Sequence, residues 1–252
     1  YYRIVLFHTK QIFLRGPGSF GKENYKMTKQ KNADSSTLIK RIIMTVLGVS
    51  ICGFSVGFFR MAAMGVDPFQ TFMSGLDRLI PISFGTLYVI ANIVLLMFSL
   101  VFCRKNIGLG TLINLFLLGY IVQFSDDLLR SIFPEPSLGL RILFLIIGIV
   151  VMCFSSALYF TADLGVSTYD SVALIMTYTW NWGKFQYIRI ATDLCCVVLG
   201  SALSLLAGGT WKEIPTIAGI GTIVTAFFMG PLIEYFNVHV ARPFLYGKNG
   251  KS

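Results

Sequence analysis

Six stretches of this chain contain no Asp, Glu, Lys or Arg: Ile42–Phe59, Leu79–Cys103, Asn106–Ser125, Ile142–Ala162, Leu194–Trp211 and Ile214–Ile233. Each is 18 to 25 residues long, and about 20 helical residues cross a hydrocarbon core roughly 30 Å thick. Such runs cannot be wrapped in a polar shell. A soluble domain carries roughly 25% charged residues, whereas this one has 13%, with 55% hydrophobic residues and a mean hydropathy of +0.71. The expected fold class is therefore all-α, a polytopic membrane protein with six transmembrane helices. The fifth span is expected to begin earlier, near Phe185, and so to include Arg189 and Asp193.

The net charge of +9 sits mainly in tails and short loops. No basic stripe interleaves with stacking aromatics, so no nucleic-acid partner is expected. With Met27–Arg41 placed inside, ten Lys and Arg face the cytoplasm and five face outward. The excess puts both termini in the cytoplasm. Residues 239–252 then form a cytoplasmic C-terminal tail and residues 1–37 a basic N-terminal one, expected to be disordered. The break in character at Met27, and a Lys22-Glu23 pair encodable as a ribosome-binding sequence, suggest that translation starts at Met27.

The five cysteines form no CxxC pair, and the histidines are only His8 and His239. Zinc needs about four suitably spaced ligands, so no metal and no cofactor are expected. The chain also lacks HExxH, Walker and nucleophile-elbow motifs, and is not expected to be an enzyme.

Two segments fit neither spans nor ordinary loops. Gly65–Ile80 and Gly165–Trp180 both open with Gly-Val and a helix-start cluster, Asp67-Pro68 or Ser167-Thr168. Both are too short to span, and are either interfacial or re-entrant helices. Asp77 and Arg78 favour the interface for the first.

The matching segments belong to a longer repeat. Phe54–Val66 and Phe154–Val166 share five identities in thirteen positions, and Gly108–Gly119 and Gly219–Gly230 share five in twelve. The units are residues 38–134 and 135–238. With three spans per unit, the second copy enters the bilayer from the opposite side, giving two inverted three-helix repeats. Such repeats are typical of secondary transporters, though they also build bundles with no transport role.

These motifs carry a family resemblance. Arg60-Met-Ala-Ala-Met-Gly65-Val-Asp67-Pro68-Phe, the GLGT and GIGT helix starts, and Ala162-Asp163-Leu-Gly165-Val-Ser-Thr-Tyr169-Asp170 resemble the YczE-like group (the YczE/YyaS/YitT proteins) of bacterial integral membrane proteins, over roughly Lys40 to Asn237. The resemblance implies a bacterial cytoplasmic membrane and carries over no catalytic residues. One departure is visible: the group commonly has an acidic residue where Gln70 stands, and only Asp170 keeps it here.

Candidate substrate- or ion-binding residues are the polar groups in or beside spans: Arg189, Asp193, Asp170, Asp163, Arg60, Asn92 and Asn114. Arg189 and Asp193 lie four residues apart, on one helical face. Either Asp193 carries a coupling charge, or the two form a structural pair that snorkels to the boundary. Arg60 and Asp163, at span ends, read first as interfacial anchors. Gly53, Gly57, Gly110, Gly119, Gly221 and Gly230 read as helix-packing positions. The expected partners are the lipid bilayer, a small solute or ion, and a second copy or a partner membrane complex. The function expected is small-molecule or ion transport, directly or as a substrate-binding membrane component. The alternative is a membrane scaffold that assists a partner complex.

Overall fold

A computed structural model describes residues 35–183, 185–227 and 229–246. The expectations for residues 1–34 and for the last six residues lie outside this range. The described chain forms α1 (Ser35–Ala62), α2 (Pro68–Leu79), α3 (Phe84–Phe102), α4 (Leu109–Ile132), α5 (Leu138–Ala162), α6 (Thr168–Tyr178) and α7 (Phe185–Leu206). There follow four short helices, α8 (Ile214–Ile217), α9 (Ile220–Phe227), α10 (Met229–Phe236) and α11 (Arg242–Tyr246). No strand occurs among the described residues. Among the described residues five helices are long and apolar enough to cross a membrane, or six if the bent stretch from Trp211 to Tyr246 counts as one.

Several boundaries differ from the sequence reading. The second span starts at Phe84, not Leu79, because Pro81 interrupts the run and the Ser83 hydroxyl caps Thr86 N at 3.4 Å. The third continues past its first charges to Ile132, where Asp126 and Arg130 pair one turn apart at 2.9 Å. The last span is not one helix. It breaks around Ala218–Gly219, and the stretches Trp211–Phe227 and Met229–Tyr246 lie at 54° to each other. The expected tail at 239 is also helical as far as Tyr246, through a π-turn at Asn237–Ala241 and a buried Leu245.

The centre of the bundle is the antiparallel pair α1 and α5. Arg41, near the start of α1, donates to Ala162 O at the end of α5 at 3.0 Å. Arg141, near the start of α5, donates to Ala62 O at the end of α1 at 2.8 Å. Small residues bring the two helices close along their length: a Cβ on Gly48 would meet Ser155 O at 3.0 Å, and one on Gly148 would meet the Phe59 ring at 3.3 Å. α4 packs on α1 through Gly53 and Gly57, which face Ile121 and Ser125. Gly119 of α4 lies against Tyr88 of α3, while Gly230 is half-buried in α10.

The turns after α1 and α5 follow one pattern. Each passes through a left-handed residue, Ala63 (φ 49) or Asp163 (φ 51), and then a glycine, Gly65 (φ 98) or Gly165 (φ 117). Each turn then bonds to the other half of the chain. Gly221 N donates to Met64 O at 2.7 Å, and Gly110 N donates to Leu164 O at 2.8 Å. Val66 N donates to Ile217 O and Val166 N to Asn106 O, both at 3.1 Å. Within a membrane-sized bundle such turns must be satisfied by protein, since hydrocarbon offers no partner.

Glycine is required at these turns on two counts: the backbone is left-handed, and the approach is close. A Cβ at Gly65 would lie 2.7 Å from Thr222 Oγ1, and one at Gly165 would lie 2.7 Å from Thr111 Oγ1. Gly65→Ala or Gly165→Ala is expected to destabilise by at least about 1–2 kcal/mol from the backbone alone, read as a lower unfolding temperature in detergent. Gly139→Ala, at a helical site with nothing within 4 Å, is the control and should be neutral or slightly stabilising.

Candidate functional site

Both short helices point their N-termini into the bundle. α2 starts where it does because Asp67 caps it, accepting from Gln70 N at 3.2 Å, with Pro68 in the first turn. α6 starts in the same way, with the Ser167 hydroxyl accepting from Asp170 N at 3.1 Å and donating to Asp170 Oδ2 at 2.8 Å. The first turn of α2 is buried, whereas Leu79 at its other end is 45% exposed. These helices therefore reach inward, unlike the interfacial placement favoured from Asp77 and Arg78. Those two charges sit in the last turn of α2, away from the buried end.

The two N-termini meet at an aromatic pair. Phe69 of α2 stacks on Tyr169 of α6, with centroids 4.9 Å apart and planes at 22°. Tyr88 of α3 closes edge-on to Phe69 at 5.9 Å, and the Arg189 guanidinium of α7 lies over the Tyr169 ring at 4.3 Å.

Arg189 is the hub of a charged network. It pairs with Asp170 at 2.7 Å and, more loosely, with Asp193 at 3.3 Å. Tyr169 donates its hydroxyl to Asp193 Oδ1 at 2.7 Å. Arg189, Asp193 and Asp170 are 8%, 7% and 5% exposed, so they do not snorkel to a boundary. Instead, burial makes each charge depend on the others, because an isolated buried ion costs several kcal/mol. The spacing-based reading paired Arg189 with Asp193, but the nearer partner is Asp170.

A cavity of about 160 Å³ adjoins this network, with room for several waters or a small solute. Its walls are the middle of α1 and α5, the first turns of α2 and α6, and Asn92, Asn114 and Thr225. Asn92 donates to Tyr88 O at 2.8 Å and bonds through its amide oxygen to the Thr168 hydroxyl. Two further wall groups, Gln70 Oε1 and the Tyr159 hydroxyl, are buried with no hydrogen-bond partner in the protein. They offer an acceptor and a donor to whatever occupies the space.

Of the seven sequence candidates, five line this cavity: Arg189, Asp193, Asp170, Asn92 and Asn114. Two do not. Asp163 ends α5 in the left-handed conformation and faces Arg41 at 3.9 Å. Arg60 pairs with Asp126 at 3.4 Å and lies against the Phe84 ring. Sequence reasoning used Asp67, Phe69 and Tyr169 only as helix-start and motif residues. Their recurrence at the same repeat positions was the available signal. Among the described residues no group of three or more His, Cys, Asp and Glu is placed to hold a metal ion.

The network generates a stability test. Arg189→Gln removes the guanidinium that pairs with both Asp170 and Asp193. It should lower stability by about 3–5 kcal/mol, and adding Asp170→Asn should recover much of the loss in thermal unfolding.

Comparison with known proteins places the sequence in a family. The model of a family of unknown function, DUF6198, matches residues 39–238. An uncharacterised protein of Haemophilus influenzae is 24% identical over 204 residues, covering 81% of this chain and 86% of its own length. The uncharacterised membrane protein YczE of Bacillus subtilis is 24% identical over 199 residues, covering 79% and 86%. The uncharacterised protein YyaS of Bacillus subtilis is also 24% identical over 199 residues, covering 79% and 93%. No solved structure matches. With its apolar helices and these relatives, the chain is a multi-pass membrane protein of the YczE-like, DUF6198 family.

Proposed function

We propose that this protein is a transporter of a small solute or ion, or the membrane component that binds one, built from two inverted repeats around the central cavity. The observation that carries the reading is the cavity itself, set where two short helices from different halves of the chain meet N-terminus to N-terminus. Broken helices that present their N-termini to a site between repeats are the recurrent architecture of secondary transporters. A scaffold needs no such polar space.

The inverted arrangement is supported by paired contacts. The Arg41 and Arg141 bonds, the Gly110 and Gly221 bonds, and the Val66 and Val166 bonds are each two versions of one contact. Each α1 residue and its α5 counterpart lie 100 positions apart, on antiparallel helices. α3 and α7 correspond at 101, where Phe84/Phe185, Leu87/Ile188, Tyr88/Arg189 and Asn92/Asp193 are all buried.

Three carboxylates on the cavity wall, Asp67, Asp170 and Asp193, favour a cation or a proton as the coupled species. Asp193 is the best carrier of that coupling, because Asp170 still neutralises Arg189 when Asp193 changes. The reading assigns the chain no catalysis. It places the protein in the bacterial cytoplasmic membrane with both termini inside, alone or with a second copy or partner complex.

The test is a thermal-shift screen of small cationic, neutral and anionic solutes on purified protein. A true ligand at about 100 times its Kd adds about 2.7 kcal/mol of apparent stability. The expected result is a saturable shift for cationic solutes that Asp193→Asn abolishes while expression and basal stability stay near normal. Destabilisation by Asp193→Asn, with rescue by Arg189→Gln and no solute response in any class, would replace the transport reading with the scaffold.

A further inference from the structure

A second cavity, of about 450 Å³, lies among the ends of α1, α2 and α4, the start of α5 and Thr216–Ile217. It is separate from the central site and differs in charge. Arg60, Arg78, Arg130 and Arg141 face it, together with Asp77 and Asp126. Four positive against two negative charges leaves an excess of two. Glu213, outside the lining, offsets Arg78 at 2.7 Å.

The arginines are held in place. Arg141 is fixed by Ala62 O at 2.8 Å and Ala63 O at 3.0 Å, through Nε and Nη2. Arg78 is fixed by Glu213 at 2.7 Å and the Ser204 hydroxyl at 2.9 Å. Asp126 is shared, with one oxygen on Arg130 at 2.9 Å and the other on Arg60 at 3.4 Å. One carboxylate therefore serves two guanidinium groups.

Arg60 is the member whose needs the protein does not meet. Its guanidinium lies 3.9 Å from the centre of the Phe84 ring, which shields one face. Its Nε and Nη2 are buried and have no hydrogen-bond partner. Adjacent N–H donors on one edge of a guanidinium match the two oxygens of a carboxylate or phosphate group. A buried cation with idle donors, beside an empty volume of excess positive charge, fits an oxyanion.

We propose that this vestibule binds an oxyanion, with Arg60 as the bidentate contact, Arg141 as a prepositioned second cation, and Arg130 at the exposed rim. The charge excess favours an anion over a cation as the occupant, and the site does not depend on the central cavity's role. A free phosphate-like anion and the phosphodiester of an anionic lipid headgroup share this chemistry. The cavity lies at the ends of spanning helices, where either can reach it.

Two measurements on the purified full chain test the site. The first follows thermal stability against inorganic phosphate at constant ionic strength in uncharged detergent, with chloride as the control. The second counts phosphatidylglycerol retained by native mass spectrometry after extraction from phosphatidylcholine nanodiscs with and without that lipid. A saturable phosphate shift identifies a free anion, and selective lipid retention identifies a headgroup. Either should be weakened about tenfold or more by Arg60→Gln. Arg130→Gln, at a side chain 61% exposed, should weaken binding by about threefold without loss of folding, and keeps the test valid if Arg60→Gln does not fold. Absence of both phosphate response and lipid retention overturns the proposal. So does binding that Arg130→Gln and every folded Arg60 variant leave unchanged.

Discussion

Backbone polar groups inside a bilayer have to find partners within the protein, and this demand organises the structure around two turns. After α1 and after α5 the chain reverses into a short helix, freeing amides and carbonyls that a continuous helix would have paired. Neither turn satisfies itself. Met64 and Val66 bond to the segment around Ile217–Gly221, and Leu164 and Val166 bond to the segment around Asn106–Gly110. Each half of the chain thus completes the other. The glycines at 65 and 165 let the backbones come close enough for those bonds, and the arginines at 41 and 141 tie the ends of α1 and α5 together. Once the turns are fixed, the first turns of α2 and α6 are placed against each other, and the cavity follows.

The cavity is not symmetric in chemistry although its frame repeats. At corresponding places the first half presents Gln70, Tyr88 and Asn92, and the second presents Asp170, Arg189 and Asp193. The first wall is mainly hydrogen-bonding, with Asp67 as its one carboxylate; the other carries an ion network. The aromatic partners follow the same division, since Phe69 meets Tyr88 edge-on while Tyr169 lies under a guanidinium. Gln70 is the residue where the difference was first visible, as the position lacking its expected acid.

Much of the frame was legible in the sequence because apolar runs and repeated motifs report directly on burial. The long helices, the helix starts at Asp67 and Ser167, and the register of α1 with α5 all appear as composition or as spacing. What spacing could not give is which elements from distant parts of the chain touch. Arg189 and Asp193 are four residues apart and were readable as a pair. Asp170, the closer partner, lies nineteen residues away on another helix. Arg60 and Asp163 stood among the candidates but, as charges at span ends, read first as anchors, and they serve a separate cavity and a helix terminus. The last span failed for a different reason: apolarity continues through Ile214–Ile233, but the Gly219–Gly221 segment is used to bond the turn at Met64, and so cannot extend the helix before it.

Transport as proposed requires the cavity between the two halves to open to each side of the membrane in turn. Ser156 lines that cavity, so Ser156→Cys in a background without the five native cysteines places a single thiol there. Alkylation by a membrane-impermeant reagent is then measured in right-side-out and inside-out vesicles. The account predicts labelling from both sides, slowed by a solute that stabilises the protein and unaffected by one that does not. A thiol that stays unlabelled from both sides while labelling freely in the unfolded protein would contradict it.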